Sequence, residues 1–271
     1  MACERPDEAG RSLSQGYCRD LAEELVARGL VESISAETVR RILSSHHLKP
    51  WRFHMWESPE VVRDEAFVIQ VQEILELYTR ALQPDEMVLS LDEKTAMQAL
   101  VRFSPTLPPR PGQPNLVEHR YRRKGVVNLL AAFDTRTGHV YSTILPRKRQ
   151  VEFIAFLRQL DAEIDPSITT IHIICDNLRV HKGKEVLAWL SEHPRFVFHF
   201  TPVHCSWMNQ VEQWFSILQR RRFRFADCAS KEDLCAKIEA FIAQWNQQAH
   251  PFNWNSQSAR RVMAAVLPSA A

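Results

Sequence analysis

Three acidic residues sit where a carboxylate can do chemistry. Asp92 closes the run Val88-Leu89-Ser90-Leu91-Asp92, Asp176 follows Ile173-Ile174-Cys175, and Glu212 lies in an amphipathic stretch that begins at Gln210. The first two end apolar, β-type runs. A carboxylate at the end of a buried strand costs free energy unless something cationic meets it. Two strand ends and a nearby helix can hold three carboxylates around a pair of divalent metal ions, an apparatus for in-line phosphodiester cleavage and strand transfer. Hard oxygen ligands with open positions suit Mg²⁺ or Mn²⁺. Taken singly, each Asp has a plainer reading as the cap of the turn that follows. Glu93, on the opposite face of its strand, and Asp134, at the start of a turn, are expected to be such decoys. The combination and order of the three carry the argument.

The elements that must position them can be read from hydrophobic period and punctuation. Residues 87–92, 125–134, 139–145, 169–176 and 195–201 have strand character, with a hairpin turn at Thr135-Arg136-Thr137-Gly138. Residues 150–164, 182–191, 210–220 and 231–248 have helical spacing, and the five prolines of 104–114 mark a loop. Three strands, then a helix, strand, helix, strand and further helices describe a mixed α/β sheet with helices on both faces. Strands one to three form a meander, and strand four runs parallel beside strand one. This is the topology of the RNase H-like fold, and it brings Asp92 beside Asp176.

Ahead of the sheet, residues 17–28 and the helix capped by Ser35 suggest a helix-turn-helix, with Val39, Ile42 and Leu43 inward. Thr38, Arg40, Arg41, Ser44, Ser45 and His46 are then exposed donors for phosphates or base edges; a helical hairpin with solvated arginines is the competing reading. Lys49 and Arg52 fall in a basic, aromatic linker, and residues 59–80 form an amphipathic helix. The domain boundaries expected are 1–48 (helix-turn-helix), 49–84 (linker and helix), 85–250 (catalytic) and 251–271 (C-terminal tail).

Net charge is only +2, but residues 101–150 hold ten Lys or Arg against two Asp or Glu. Such a segment in a near-neutral chain is the footprint of a polyanion partner. Arg122, Arg123, Lys124, Arg147, Lys148 and Arg149 are the candidate phosphate contacts. Six cysteines without a C-x-x-C pair fit free thiols in a reducing cytosol, and His204, Cys205 and Cys175 lack zinc-site spacing. No apolar run reaches the roughly 18 residues of a membrane span.

The segments Leu91-Asp92-Glu93-Lys94-Thr95, Tyr121-Arg122-Arg123-Lys124-Gly125, Asp176-Asn177 with His181, and Thr201-Pro202-Val203-His204-Cys205-Ser206-Trp207-Met208-Asn209-Gln210-Val211-Glu212 resemble the bacterial insertion-sequence transposases of the mariner-like DDE superfamily. The 35 residues between Asp176 and Glu212 are within one of the family's usual spacing. Residues 21–43 resemble the second of the family's two helix-turn-helix units. The resemblance implies that Asp92, Asp176 and Glu212 hold the metals and that Asn177, His181 and Asn209 support the site. It further implies double-stranded DNA as partner (terminal inverted repeats and target), a homodimer when assembled on DNA, and action at the bacterial nucleoid in the cytoplasm. A repurposed DNA-binding protein and an RNase H-like nuclease without strand transfer are the alternatives.

Overall fold

The computed structural model describes residues 1–4, 6–7, 10, 12–13, 16–47, 49–52, 64–203 and 205–266 of the 271. The chain divides into two compact units, Met1–Ser58 and Pro59–Ala271. His204 and residues 53–63, which include the start of the helix expected over 59–80, lie outside the described residues.

The first unit holds α1 (Cys18–Ala27) and α2 (Ala36–Ser45). Gly29, at φ +67°, ends α1 in the left-handed conformation that glycine adopts without steric cost. The Ser35 side chain accepts from the Thr38 N–H and caps α2. The two signals lie far enough apart that the connection runs over residues 28–35, longer than the three or four residues of a tight helix-turn-helix turn. Val39 is buried, but Ile42, expected inward, is 54% exposed. It sits three positions on from Val39, past the edge of the narrow stripe that two short helices can bury.

The second unit is built on a five-stranded sheet ordered β3-β2-β1-β4-β5. Its strands are β1 (Glu86–Arg102), β2 (Tyr121–Asp134), β3 (Val140–Leu145), β4 (Thr170–Cys175) and β5 (Phe196–Phe200). The first three are antiparallel neighbours; β4 joins β1 in parallel with Ser90 opposite Ile174, and β5 joins β4 in parallel. This is the RNase H-like arrangement. Its central strand, β1, is buried on both faces from Val88 to Asp92 because helices cover both.

On one face Leu89, Leu91, Ile171 and Ile173 pack against α4 (Gln150–Glu163) and α5 (Lys184–Glu192). On the other, Leu129, Ala131 and Phe133 meet Trp214 and Phe215 of α6 (Gln210–Leu218) and Ile238 of α7 (Lys231–Gln247). A third cluster sets Val71, Ile74 and Tyr78 of α3 (Glu65–Thr79) against Val88, Ile174 and Met208.

Two expectations change here. β1 does not stop at Asp92 but continues ten residues further. The polar run Glu93-Lys94-Thr95 hides the strand from a hydrophobic pattern, and two register shifts with Ala96 at φ +53° let it keep pairing with β2. Residues 251–271 are not merely a tail: they contain α8 (Ser256–Val266), whose Ala259, Val262 and Met263 pack on the α3 cluster.

Candidate active site

Asp92 lies on the β1 face that also carries Ser90, since side chains alternate along a strand. The parallel ladder between β1 and β4 ends at Ser90–Ile174, and Asp176 follows the end of β4 close enough for its charge to act on Asp92. Glu212 occupies the third position of α6, whose N-cap is Asn209. Asn209 is fully buried, and its Nδ2 donates to the Leu91 carbonyl at 2.8 Å and to Asp92 Oδ2 at 3.3 Å. It therefore ties the start of α6 to β1.

Asp92 is only 6% exposed, and its Oδ1 accepts from the Glu93 N–H at 2.7 Å. Both of its hydrogen-bonding partners are uncharged. Burial pushes its carboxyl up to about 7, and the negative charges of Asp176 and Glu212 push the same way. Burial also raises Glu212, which Lys94 opposes. Asp92 and Glu212, each raised by burial and by a neighbouring carboxylate, mark a side of the site that is short of positive charge.

Among the described residues, no three His, Cys, Asp or Glu side chains stand close enough to grip an ion without rearrangement. The all-oxygen donor set of Asp92, Asp176 and Glu212, with Asp92 buried and lacking a charged hydrogen-bond partner, fits a hard divalent cation.

Asp176 is held from the opposite side. His181, fully buried in a single turn at Arg179–Lys182, has Nδ1 at 3.0 Å from Asp176 Oδ1 and Nε2 at 3.7 Å from Glu93 Oε1. Burial alone would lower the imidazole, but Asp176 first, then the nearby Cys175 and Glu93, outweigh burial and push it up to about 12. Burial works to raise Asp176; His181 and the Leu178 N–H overcome that and leave it below the usual carboxylate range. Lys148 Nζ stands 3.8 Å from Glu93 Oε2. Glu93 does point to the opposite face, but it is no bystander: its side chain is 5% exposed and touches both His181 and Lys148. A one-residue alternation rule cannot see partners that arrive from the turn at Arg179–Lys182 and from the segment before α4. Asp134 is a turn residue, accepting from the Arg136 N–H and the Thr137 hydroxyl.

Asn177 donates to the Thr201 carbonyl and accepts from Lys182, joining the ends of β4 and β5. Of the basic candidates in this unit, Arg122, Arg123 and Lys124 are exposed at the start of β2, with Arg122 over the Phe103 ring. Arg147 and Lys148 are exposed before α4, while Arg149 is engaged by Glu152 at the first turn of that helix. In the first unit Thr38, Arg40, Arg41 and Ser44 are exposed on α2, but Glu37 binds both arginines. Lys49 Nζ donates to the Ser44 carbonyl, closing the end of α2, and Arg52 is exposed.

One contributor was hidden in the sequence. Tyr78 has the spacing of a core residue, yet its hydroxyl reaches Ser90 and the carbonyl of Met208. Only a hydroxyl in an otherwise hydrocarbon helical stripe hinted at it.

Comparison with known proteins bears on the family and the fold. Residues 87–235, more than half of the chain, match the DDE superfamily endonuclease family. The insertion element IS630 uncharacterized 39 kDa protein of Shigella sonnei is 32% identical over 114 residues, 42% of this chain and 33% of that protein. The chain thus spans about a third of the length of the curated relative it matches. Among solved structures, the Mos1 mariner paired end complex with Mn has a TM-score of 0.61 at 16% identity, and a pre-cleavage Mos1 transpososome 0.62 at 16%. Each match covers 96% of this chain and 74% of the other, and at that identity the likeness speaks for the fold. With the carboxylates at the centre of this sheet and the family match spanning all three, the chain belongs to the DDE superfamily endonuclease family.

Proposed function

We propose that this chain is a DNA transposase that binds the ends of its own element, cleaves them and joins them to target DNA. The observation that carries the reading is electrostatic. Asp92 within β1, Asp176 just past the end of β4 and Glu212 in the first turn of α6 face one another's charges, and Asp92 is buried without a charged hydrogen-bonding partner. They would hold Mg²⁺ or Mn²⁺, and we propose two ions. When bound, a pair of such ions activates the attacking oxygen and stabilises the leaving oxygen of an in-line displacement.

The chain's own residues supply the rest. His181 aims the Asp176 carboxylate, and Asn209 holds the start of α6, and with it Glu212, against β1. Asn177 braces the strand ends beside Asp176. Lys148 and Arg147 lie on the rim where a phosphodiester would approach, and Arg122, Arg123 and Lys124 extend the basic surface along β2. In this reading residues 1–48 are a DNA-binding unit, 49–84 a linker ending in α3, 85–250 the catalytic domain and 251–271 a C-terminal segment. α2 is the candidate recognition helix through Thr38, Arg40, Arg41 and Ser44, with Lys49 and Arg52 beside it. The partner is double-stranded DNA, terminal repeats and target alike, with the protein dimeric on it and located at the bacterial nucleoid. Among the described residues no helix is long and apolar enough to cross a membrane.

The test is a plasmid carrying the coding sequence with its flanking genomic DNA, assayed for nicked, excised and joined products. Asp92→Asn, Asp176→Asn and Glu212→Gln should each abolish cleavage and joining while leaving DNA binding within about twofold. Cleavage without any joined product would instead favour a nuclease. Metal-dependent cleavage at the wild-type rate in any of the three variants would sink the assignment.

A further inference from the structure

We infer that Tyr78 is a positioning residue for the carboxylate site: its hydroxyl sets the spacing between the strand that carries Asp92 and the helix that carries Glu212. The inference rests on the metal-site reading above.

Tyr78 stands near the end of α3, before the first residue of the family match, and is 2% exposed. Its hydroxyl is 2.8 Å from the Met208 carbonyl and 2.9 Å from Ser90 Oγ. A phenol has one proton, and a carbonyl can only accept. Tyr78 therefore donates to Met208, and Ser90 donates to Tyr78. Ser90 is two residues before Asp92 on the same strand face. Met208 is the residue before Asn209, the N-cap of α6, and Glu212 follows within the first turn. One oxygen thus bridges both carriers of the site.

The phenol is itself held. Arg136, from the β2–β3 turn, donates to the carbonyls of Tyr78 at 3.0 Å, Leu77 at 2.9 Å and Arg80 at 2.7 Å, fixing the end of α3. The Trp254 ring packs at 5.2 Å from the Tyr78 ring. With backbone and ring both pinned, the hydroxyl has little freedom, so the bridge transmits position rather than following it. Asn209 makes a second, shorter-range tie between the same two elements. Tyr78 adds the tie that depends on α3.

Tyr78→Phe keeps the ring and removes the bridge. Mg²⁺ demands near-ideal octahedral geometry, so a displaced carboxylate should harm Mg²⁺-supported chemistry most. Cleavage with Mg²⁺ should fall on the order of tenfold to a hundredfold, as for a misplacement of about 1 Å, and with Mn²⁺ by clearly less. Mn²⁺ affinity of the DNA-free protein, read from free Mn²⁺ by electron paramagnetic resonance, should weaken several-fold. DNA affinity should stay within about twofold. Ser90→Ala, which cuts one arm only, should give a smaller change of the same kind.

Val262→Ala loosens the same cluster without touching the hydroxyl; it should lower Tm and leave the Mg²⁺-to-Mn²⁺ ratio unchanged. If Tyr78→Phe lowers Tm but matches wild type in Mn²⁺ affinity and metal ratio, the residue is only a core brace and the inference fails alone. Asp92→Asn run in parallel separates the cases: if it too binds Mn²⁺ and cleaves like wild type, the metal-site reading falls and takes this inference with it.

Discussion

Replacing Asp92 by Asn should make the metal-free protein more stable at neutral and alkaline pH. The folded state raises this carboxyl from an ordinary 3.8 to about 7, burial first and the neighbouring carboxylates second. A raised acid binds more protons folded than unfolded between those two pH values, so its contribution to stability falls as pH rises from about 4 to about 7 and is level above. At about 1.4 kcal/mol per pH unit the full penalty is about 4 kcal/mol, an upper bound. Asn carries no charge and escapes it. Its Oδ1 can still accept from the Glu93 N–H, but its Nδ2 would face the Asn209 Nδ2. Asn209 can turn its amide to present the otherwise unpartnered Oδ1, at the loss of its bond to the Leu91 carbonyl, about 1 kcal/mol. The net expectation is about 1–3 kcal/mol of stabilisation at pH 8, vanishing near pH 4. That is on the order of 2–10 °C in Tm for a unit of this size. Excess Mg²⁺ should narrow the gap, because an ion bound only by the folded wild type stabilises that protein. Denaturant melts of both proteins in chelator from pH 4 to 9 measure it. A variant less stable than wild type at pH 8, or a difference independent of pH, would refute the electrostatic reading of the site.

Away from the site, the His172 and His199 rings meet at 2.9 Å on β4 and β5, and burial, with the charges of His172 and Arg80, holds His199 down to about 4. A depressed histidine stabilises fully above its unfolded value near 6.5 and loses that contribution as pH falls toward 4. His199→Gln should therefore flatten the acid side of the stability profile by on the order of 1 kcal/mol, and an unchanged profile would count against the pair. Neutralising Arg122, Arg123 and Lys124 should weaken binding to all duplexes alike and flatten its salt dependence by up to about 0.9 log unit for each phosphate no longer neutralised. Arg40→Ala or Arg41→Ala should instead cost about 1–3 kcal/mol of discrimination for the element's own ends. If those variants discriminate as well as wild type, α2 is not the recognition helix.

Where the sequence was legible, one signal did one job. The strand character of 169–176 announced β4, Ser35 announced a cap, and Asp134 announced its turn. The sheet order followed from the order of the elements, and with it the meeting of Asp92 and Asp176. What escaped required a partner from elsewhere in the chain. β1 runs on through polar residues because β2 pairs with them, not because of their own pattern. Glu93 matters because His181 and Lys148 arrive beside it. α8 is held by α3, whose apolar stripe is longer than the sheet alone can cover. Tyr78 counts through a single oxygen, which hydrophobic periodicity does not weigh.

The central claim is that Asp92, Asp176 and Glu212 touch the metal ions that support DNA cleavage. Replacing each in turn by Cys tests it most directly, because thiolate is a softer ligand than carboxylate and changes which ion the site accepts. Direct ligation predicts that the Cys variants are inactive with Mg²⁺ and recover measurable cleavage with Mn²⁺, whereas the Ala variants recover with neither. Cys variants that cleave as well with Mg²⁺ as wild type, or Cys and Ala variants that behave alike with both metals at all three positions, would contradict it.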